Sequence, residues 1–96
     1  MVVEIDAELE ALIPRFLEHR RKDIEALTTA LGSGDFRAIS TVGHNMKGAG
    51  GGFGFHEISA IGAQLETAGR AASVATVQDC LVTYRNYLAG LEVVFV

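Results

Sequence analysis

Apolar residues recur at three- and four-residue intervals along almost the whole chain, and this period constrains the fold more than any other feature. In a first pattern, Leu9, Leu12, Ile13, Phe16, Leu17, Ile24, Leu27 and Leu31 mark one buried helical face. Pro14 interrupts it. Proline lacks an N–H and disfavours helical geometry in the residue before it. The spacing therefore predicts a break around Leu12 to Ile13, with a short helical segment before Pro14. A long helix then starts near Pro14, which suits a first helical turn.

Three more patterns follow. After 32-GSG-34, Asp35 is placed to cap a second helix whose core stripe is Phe36, Ile39, Val42, Met46, Ala49 and Phe53. The third stripe is Ile58, Ile61, Leu65, Ala68 and Ala72, with Gly62 and Gly69 where a neighbouring helix could approach closely. The fourth runs from about Ala75 through Val77, Leu81, Tyr84, Leu88 and Leu91. No strand-like alternation is long enough to compete. The tail 91-LEVVFV-96 reads either as a short extended end or as a last apolar helical turn. Short connections between consecutive amphipathic helices favour antiparallel neighbours. The expected fold is all-α, an antiparallel up-and-down four-helix bundle, formed by residues 1–96 as one domain.

Composition narrows the functional classes. Hydrophobic residues make up 49% of the 96, enough for one modest core and too many for a disordered chain. A formal charge of −4 argues against bulk binding to nucleic acid. Cys80 is the single cysteine, so neither a disulfide nor a thiolate metal site is expected, and it most simply packs in the core. The acidic N-terminus has no signal-peptide pattern, and no apolar run reaches the roughly 18 residues of a membrane span. A soluble cytoplasmic protein, without membrane contact, is the expectation.

One stretch breaks the rules of a stable helix. In 43-GHNMKGAGGGFGF-55, a histidine and a lysine three residues apart precede five glycines in seven positions. Each glycine in a helix costs about 1 kcal/mol relative to alanine. At about 100° per residue, His44 falls roughly 160° from Met46, the centre of the buried stripe. Its neighbours at three, four and seven residues are Arg37, Ser40, Thr41, Lys47, Gly48 and Gly51, all small, polar or basic. Gly48 and Gly51 leave bare backbone beside the ring, and Lys47 supplies a cation one turn on. Gly52 and Gly54 better suit a helix end and a turn. An imidazole with a reference pKa of about 6.5 is a good nucleophile at neutral pH. A phosphoryl group on it would be partly neutralised by the lysine. The pattern suits a phosphoryl acceptor and donor that a second macromolecule approaches.

These residues carry a family resemblance. His44, Lys47, Gly48 and Gly54 read as H-x-x-K-G-x5-G, which resembles the histidine-containing phosphotransfer (HPt) domain. The flanking segments 15-RFLEHRRKDIEAL-27, 34-GDFRAI-39 and 64-QLETAGR-70 are also similar, so the likeness covers most of the chain. The resemblance implies that His44 is phosphorylated on Nε2, with the phosphoryl group exchanged with an aspartate on a receiver domain. It implies that Lys47 stabilises the group, that Gly48 keeps the approach open, and that Gly54 belongs to the turn between helices two and three. Met46 stands where many relatives have leucine, a substitution of similar size. The extra glycines Gly50 to Gly52 depart from the family pattern.

The expected role is a phosphorelay carrier, not an enzyme, with catalytic residues His44 and Lys47 and a partner surface of Arg37, Ser40, Thr41, Gly48 and Gly51. Its expected partners are response-regulator receiver domains, alone or within a hybrid sensor kinase. It is expected to be monomeric, with no cofactor and no metal, since the reactive aspartate and its magnesium would lie on the partner. Two alternatives are a helical interaction module in which His44 is incidental, and a detached phospho-acceptor fragment of a larger kinase. A nucleotide-binding reading of the glycines fails, because no Gly-Lys dipeptide and no G-x-G-x-x-G pattern occurs. His19 and His56 read as solvated or capping residues, Glu66 as an exposed helix residue, and Arg20, Arg21 and Lys22 as a solvated face or a contact for an acidic receiver.

Overall fold

The computed structural model describes all 96 residues, Met1–Val96. Four helices carry the chain: α1 (Ile13–Ser33), α2 (Phe36–Phe53), α3 (His56–Arg70) and α4 (Val74–Ala89). A 3-10 helix, Ala7–Leu12, precedes α1, and Pro14 occupies the first turn of α1, where its missing N–H leaves no bond unmade. The short helical segment before Pro14 is present, but in place of the expected break the winding changes from 3-10 to α at Leu12 and Ile13, both of which keep right-handed helical angles. Leu12 nevertheless leaves the predicted stripe and is 53% exposed. The tighter 3-10 winding shifts the phase of its side chain relative to an α-helical face.

Backbone sign changes set the turns. Gly34 (φ 69°) ends α1 and Gly54 (φ 88°) ends α2, each in the left-handed region that glycine enters without a Cβ clash. Asp35 then caps α2, its Oδ1 accepting from the Ala38 N–H at 3.0 Å. Gly52, expected to stop α2, lies inside it, and the helix runs on to Phe53. Ala72, expected on the buried stripe of α3, lies beyond the helix end at Arg70 and is exposed.

Contacts between the helices run in opposite sequence directions. Gly69 meets Ser40, Gly62 meets Gly43, and Gly50 meets Ser59 across the α2–α3 seam. One cleft between α1 and α4 is lined by Leu31 and Val74, another by Arg21 and Ala89. The result is an up-and-down four-helix bundle. Ile39, Met46, Phe55, Ile58, Leu65, Val77 and Tyr84 are fully buried at its centre, and each large apolar side chain buried this way contributes about 1.5–3 kcal/mol. The Phe16 ring joins this core to α1, with centroids 4.5 Å from Phe53 and 5.0 Å from Phe55.

The chain ends add what the periodicity missed. Val2–Ile5 (β1) and Glu92–Phe95 (β2) pair as a two-stranded parallel ribbon, Val2 opposite Glu92 and Ile5 opposite Phe95. Four residues per strand are too few for alternation to register, and the partners lie at opposite ends of the sequence. Of the two readings of the tail, the extended one holds. Ile5 is 2% exposed, and its Cδ1 lies 3.5 Å from where a Cβ on Gly54 would be. The ribbon thus closes the end of the bundle at which α2 turns into α3.

Candidate functional site

His44 sits at mid-length on α2 with its side chain 70% exposed, while Met46, two residues on, is wholly buried. The opposed faces read from the sequence are therefore present. The ring does not stand free, however. His44 Nδ1 lies 2.9 Å from Glu66 Oε2, across the seam on α3. An ionised carboxylate only accepts, so Nδ1 carries the hydrogen and donates it. In that tautomer of a neutral ring the lone pair resides on Nε2, on a side chain that is largely exposed.

Glu66 corrects the sequence reading, which placed it on an exposed face. It is buried to 9% exposure. A buried carboxylate is costly unless it is paired, and three cationic or donor groups converge on it. Arg70 Nη2 lies 3.3 Å from Oε2, one turn further along α3. Lys47 Nζ lies 3.9 Å from Oε1, and His44 Nδ1 completes the set. The signal for Glu66 was an acid amid the apolar residues of α3, immediately after Leu65. Its partner on another helix could not be seen from periodicity.

The close seam explains why a glutamate can reach. A Cβ on Gly43 would stand 2.5 Å from the Glu66 nitrogen and 2.7 Å from the Gly62 oxygen. A Cβ on Gly62 would stand 2.6 Å from both the Gly43 oxygen and the Lys47 nitrogen. No real side chain tolerates such distances, so α2 and α3 touch backbone to backbone around His44. Gly62 and Gly69 serve the close approach their spacing suggested; Gly43 and Gly50 share that role. Ser59 Oγ adds a bond across the seam to the Lys47 carbonyl at 2.9 Å.

The surface around the ring is sparse. Gly48 and Gly52 have open space where a side chain would stand, and Gly51 meets only Ser59 Oγ, at 3.8 Å. Arg37 and Thr41 are exposed, with the Thr41 hydroxyl donating to the Arg37 carbonyl at 3.0 Å. Ser40 is half-buried against Gly69, which leaves it the least accessible of the predicted partner residues. Lys47 is 54% and Arg70 73% exposed in their side chains. His44 lines none of the five main surface clefts. Its side chain is open to solvent outside any cleft, so a molecule that reached it would meet it at the surface.

Other candidates resolve differently. Arg20 is drawn into the fold: its Nε is 2.7 Å from Asp23 Oδ2, and its guanidinium lies 5.2 Å over the Phe16 ring. Arg21 and Lys22 are exposed, as are His19 and His56. Cys80 is buried, and that burial pushes its thiol up, away from the reactive thiolate. No three His, Cys, Asp or Glu side chains group as a metal site, and no helix is long and apolar enough to cross a membrane.

Comparison with known protein families matches residues 11–93 to the Hpt domain, which takes in all four helices and His44. No curated protein and no solved structure matches the chain significantly. Members of that family are histidine phosphotransfer modules of two-component phosphorelays and interact with receiver domains of response regulators. With the family match spanning most of its length, the chain belongs to the Hpt domain family.

Proposed function

We propose that His44 is the phosphoryl carrier of this chain, accepting the group on Nε2 from a receiver-domain aspartyl phosphate and returning it to another receiver. The observation that carries this reading is the division of labour on the ring. Nδ1 is held by Glu66 at 2.9 Å, which leaves Nε2 with the free lone pair on a 70% exposed side chain.

In the forward step the Nε2 lone pair attacks phosphorus and forms the N–P bond. The bond from phosphorus to the aspartyl oxygen breaks, and its electron pair stays with the aspartate as a carboxylate. The ring gains positive charge, which Glu66 offsets through the Nδ1 hydrogen it already holds. Lys47 and Arg70 lie close enough to turn towards the phosphoryl oxygens, and their charge-assisted bonds would hold it. The reverse step uses the same groups. Gly48 and Gly51 leave room for the receiver, and Arg37 and Thr41 border its footprint. The receiver belongs to a response regulator or to a hybrid sensor kinase, and this chain supplies no ATP chemistry.

The test is incubation with a receiver domain carrying radiolabelled aspartyl phosphate. Wild type should take up label as an acid-labile, base-stable adduct, and His44→Gln should take up none while keeping the helical circular-dichroism signal. Equal labelling of His44→Gln would overturn the assignment. A wild-type chain that binds receivers but never becomes labelled would mark an interaction module instead.

A further inference from the structure

Two of the four seam glycines stand beside the reactive ring. Gly43 directly precedes His44, and Gly62 lies one turn before Glu66 and against the Lys47 backbone. The other two, Gly50 and Gly69, make equally close contacts, 2.7 Å to the Ser59 and Ser40 nitrogens, but further along the seam. The glycines let α2 and α3 approach more closely than side chains at these positions would permit. A glutamate side chain is short, and its carboxylate meets Nδ1 at 2.9 Å only because its helix is this near.

We propose that Gly43 and Gly62 are positioning residues for His44: their missing side chains set the α2–α3 distance at which Glu66 captures Nδ1 and fixes the tautomer that exposes the Nε2 lone pair. This rests on the reading of His44 as the phosphoryl carrier. It assigns the glycines of the seam a role besides packing. A methyl group at either position must displace Glu66 or Lys47 backbone, because the atoms it meets are main-chain atoms that cannot rotate away. The carboxylate is then carried off the ring, Nδ1 loses its acceptor, and the neutral imidazole redistributes its hydrogen between the two nitrogens.

The experiment pairs ring spectroscopy with transfer kinetics on the full chain. Nitrogen-15 NMR of the His44 ring reports the tautomer without any phosphoryl donor, so this arm stands whether or not His44 carries phosphate. Wild type should show a single dominant tautomer protonated at Nδ1. Gly62→Ala and Gly43→Ala should show tautomer averaging, and their initial phosphotransfer rate should fall roughly tenfold, the scale of one lost charge-assisted hydrogen bond. In a Glu66→Ala background the added glycine substitution should change the rate less than about twofold, because the group it acts through is gone.

Gly50→Ala is the control for packing alone. It should lower the melting temperature as much as Gly62→Ala, yet leave the His44 ring spectrum as in wild type. Should the alanines at 43 and 62 fail to fold, Glu66→Asp tests the same distance from the other side. It leaves the seam intact and shortens the arm by one methylene, and it should average the tautomers, whereas Glu66→Gln, of full length, should restore the Nδ1-protonated form. The proposal is overturned if Glu66→Asp or a folded Gly62→Ala keeps the wild-type ring spectrum. It is overturned equally if Gly50→Ala disturbs that spectrum as strongly as Gly62→Ala. If the spectra behave as expected but no variant, wild type included, accepts phosphate, the positioning stands and the carrier reading falls.

Discussion

Arg70 Nη2 lies 3.3 Å from Glu66 Oε2, the same oxygen that receives the hydrogen of His44 Nδ1. One carboxylate oxygen thus serves a cation on its own helix and the His44 ring on the neighbouring one. Lys47 Nζ, at 3.9 Å from the other oxygen, is held more loosely. Lys47 and Arg70 offset the charge of Glu66; with a phosphoryl group on His44, as proposed, that dianion would compete for the same two cations.

Removing either cation should therefore shorten the lifetime of phosphohistidine more than it affects folding. Both side chains are more than half exposed, and exposed ion pairs are worth about 0–1 kcal/mol. Lys47→Ala and Arg70→Ala are each expected to shift stability by less than about 1 kcal/mol in urea melts. Decay of the labelled adduct should speed up several-fold for Lys47→Ala, and the difference from wild type should shrink in high salt. Equal decay rates across the three proteins would show that the cations serve the buried carboxylate alone.

The glycine run separates into two classes with opposite expected outcomes. Gly48 has open space at its Cβ position, whereas a Cβ on Gly50 would stand 2.7 Å from the Ser59 nitrogen. Gly48→Ala should stabilise the fold by about 0.5–1 kcal/mol through helix propensity. Gly50→Ala should destabilise it by about 1–3 kcal/mol through overpacking at the seam. Gly48→Gln should keep the stability gain while weakening binding to a receiver, measured by titration calorimetry. If Gly48→Gln binds as wild type does, the bare patch beside His44 is no part of the partner surface.

These glycines also show where sequence reading stopped. Periodicity located the core because burial of Ile39, Met46, Leu65 and Val77 repeats with the helical turn. The exposure of His44 followed from the same geometry. Glu66 and Gly43 were not legible, because their importance is a distance between two helices, and one helix's period says nothing about its neighbour's approach. The ribbon of β1 and β2 escaped for a related reason. Its pairing joins residues about as far apart in the chain as the chain allows, and neither strand is long enough to announce itself. Leu12 and Ala72 failed at helix ends, where the winding changes.

Ala72 is the one residue other than glycine with positive φ, at 50°. It sits in the turn from α3 to α4 and is exposed, so nothing but the backbone opposes a change there. A left-handed residue with a Cβ costs roughly 1–2 kcal/mol, part of which glycine returns as entropy of the unfolded chain. Ala72→Gly is expected to raise stability by about 0.5–1 kcal/mol, seen as a higher urea midpoint with an unchanged slope. An unchanged or lower midpoint would mean that the turn relaxes at little cost.

Tyr84 and Asp23 tie α4 to α1 and give the fold a pH dependence. The buried Tyr84 hydroxyl donates to Asp23 Oδ2 at 3.0 Å. Burial, with the nearby Asp23 carboxylate, pushes the Tyr84 phenol well above its ordinary range. The folded chain therefore keeps this proton at a pH where the unfolded chain releases it. The stability it contributes is fully present below the unfolded value of about 10 and is lost as pH rises above it. Half-buried Tyr87 is also pushed up by burial and adds to the same alkaline slope. Asp23 is raised too, chiefly by burial, so its contribution is present below the ordinary carboxylate range and is lost as pH rises above it. Tyr84→Phe should cost about 1–3 kcal/mol at pH 7, because the Asp23 carboxylate loses a donor. It should also flatten the fall in stability between pH 9 and 11, leaving the share due to Tyr87. Urea melts of both proteins across that range check the two effects separately. A variant whose alkaline slope matches wild type would show that Tyr84 does not set it.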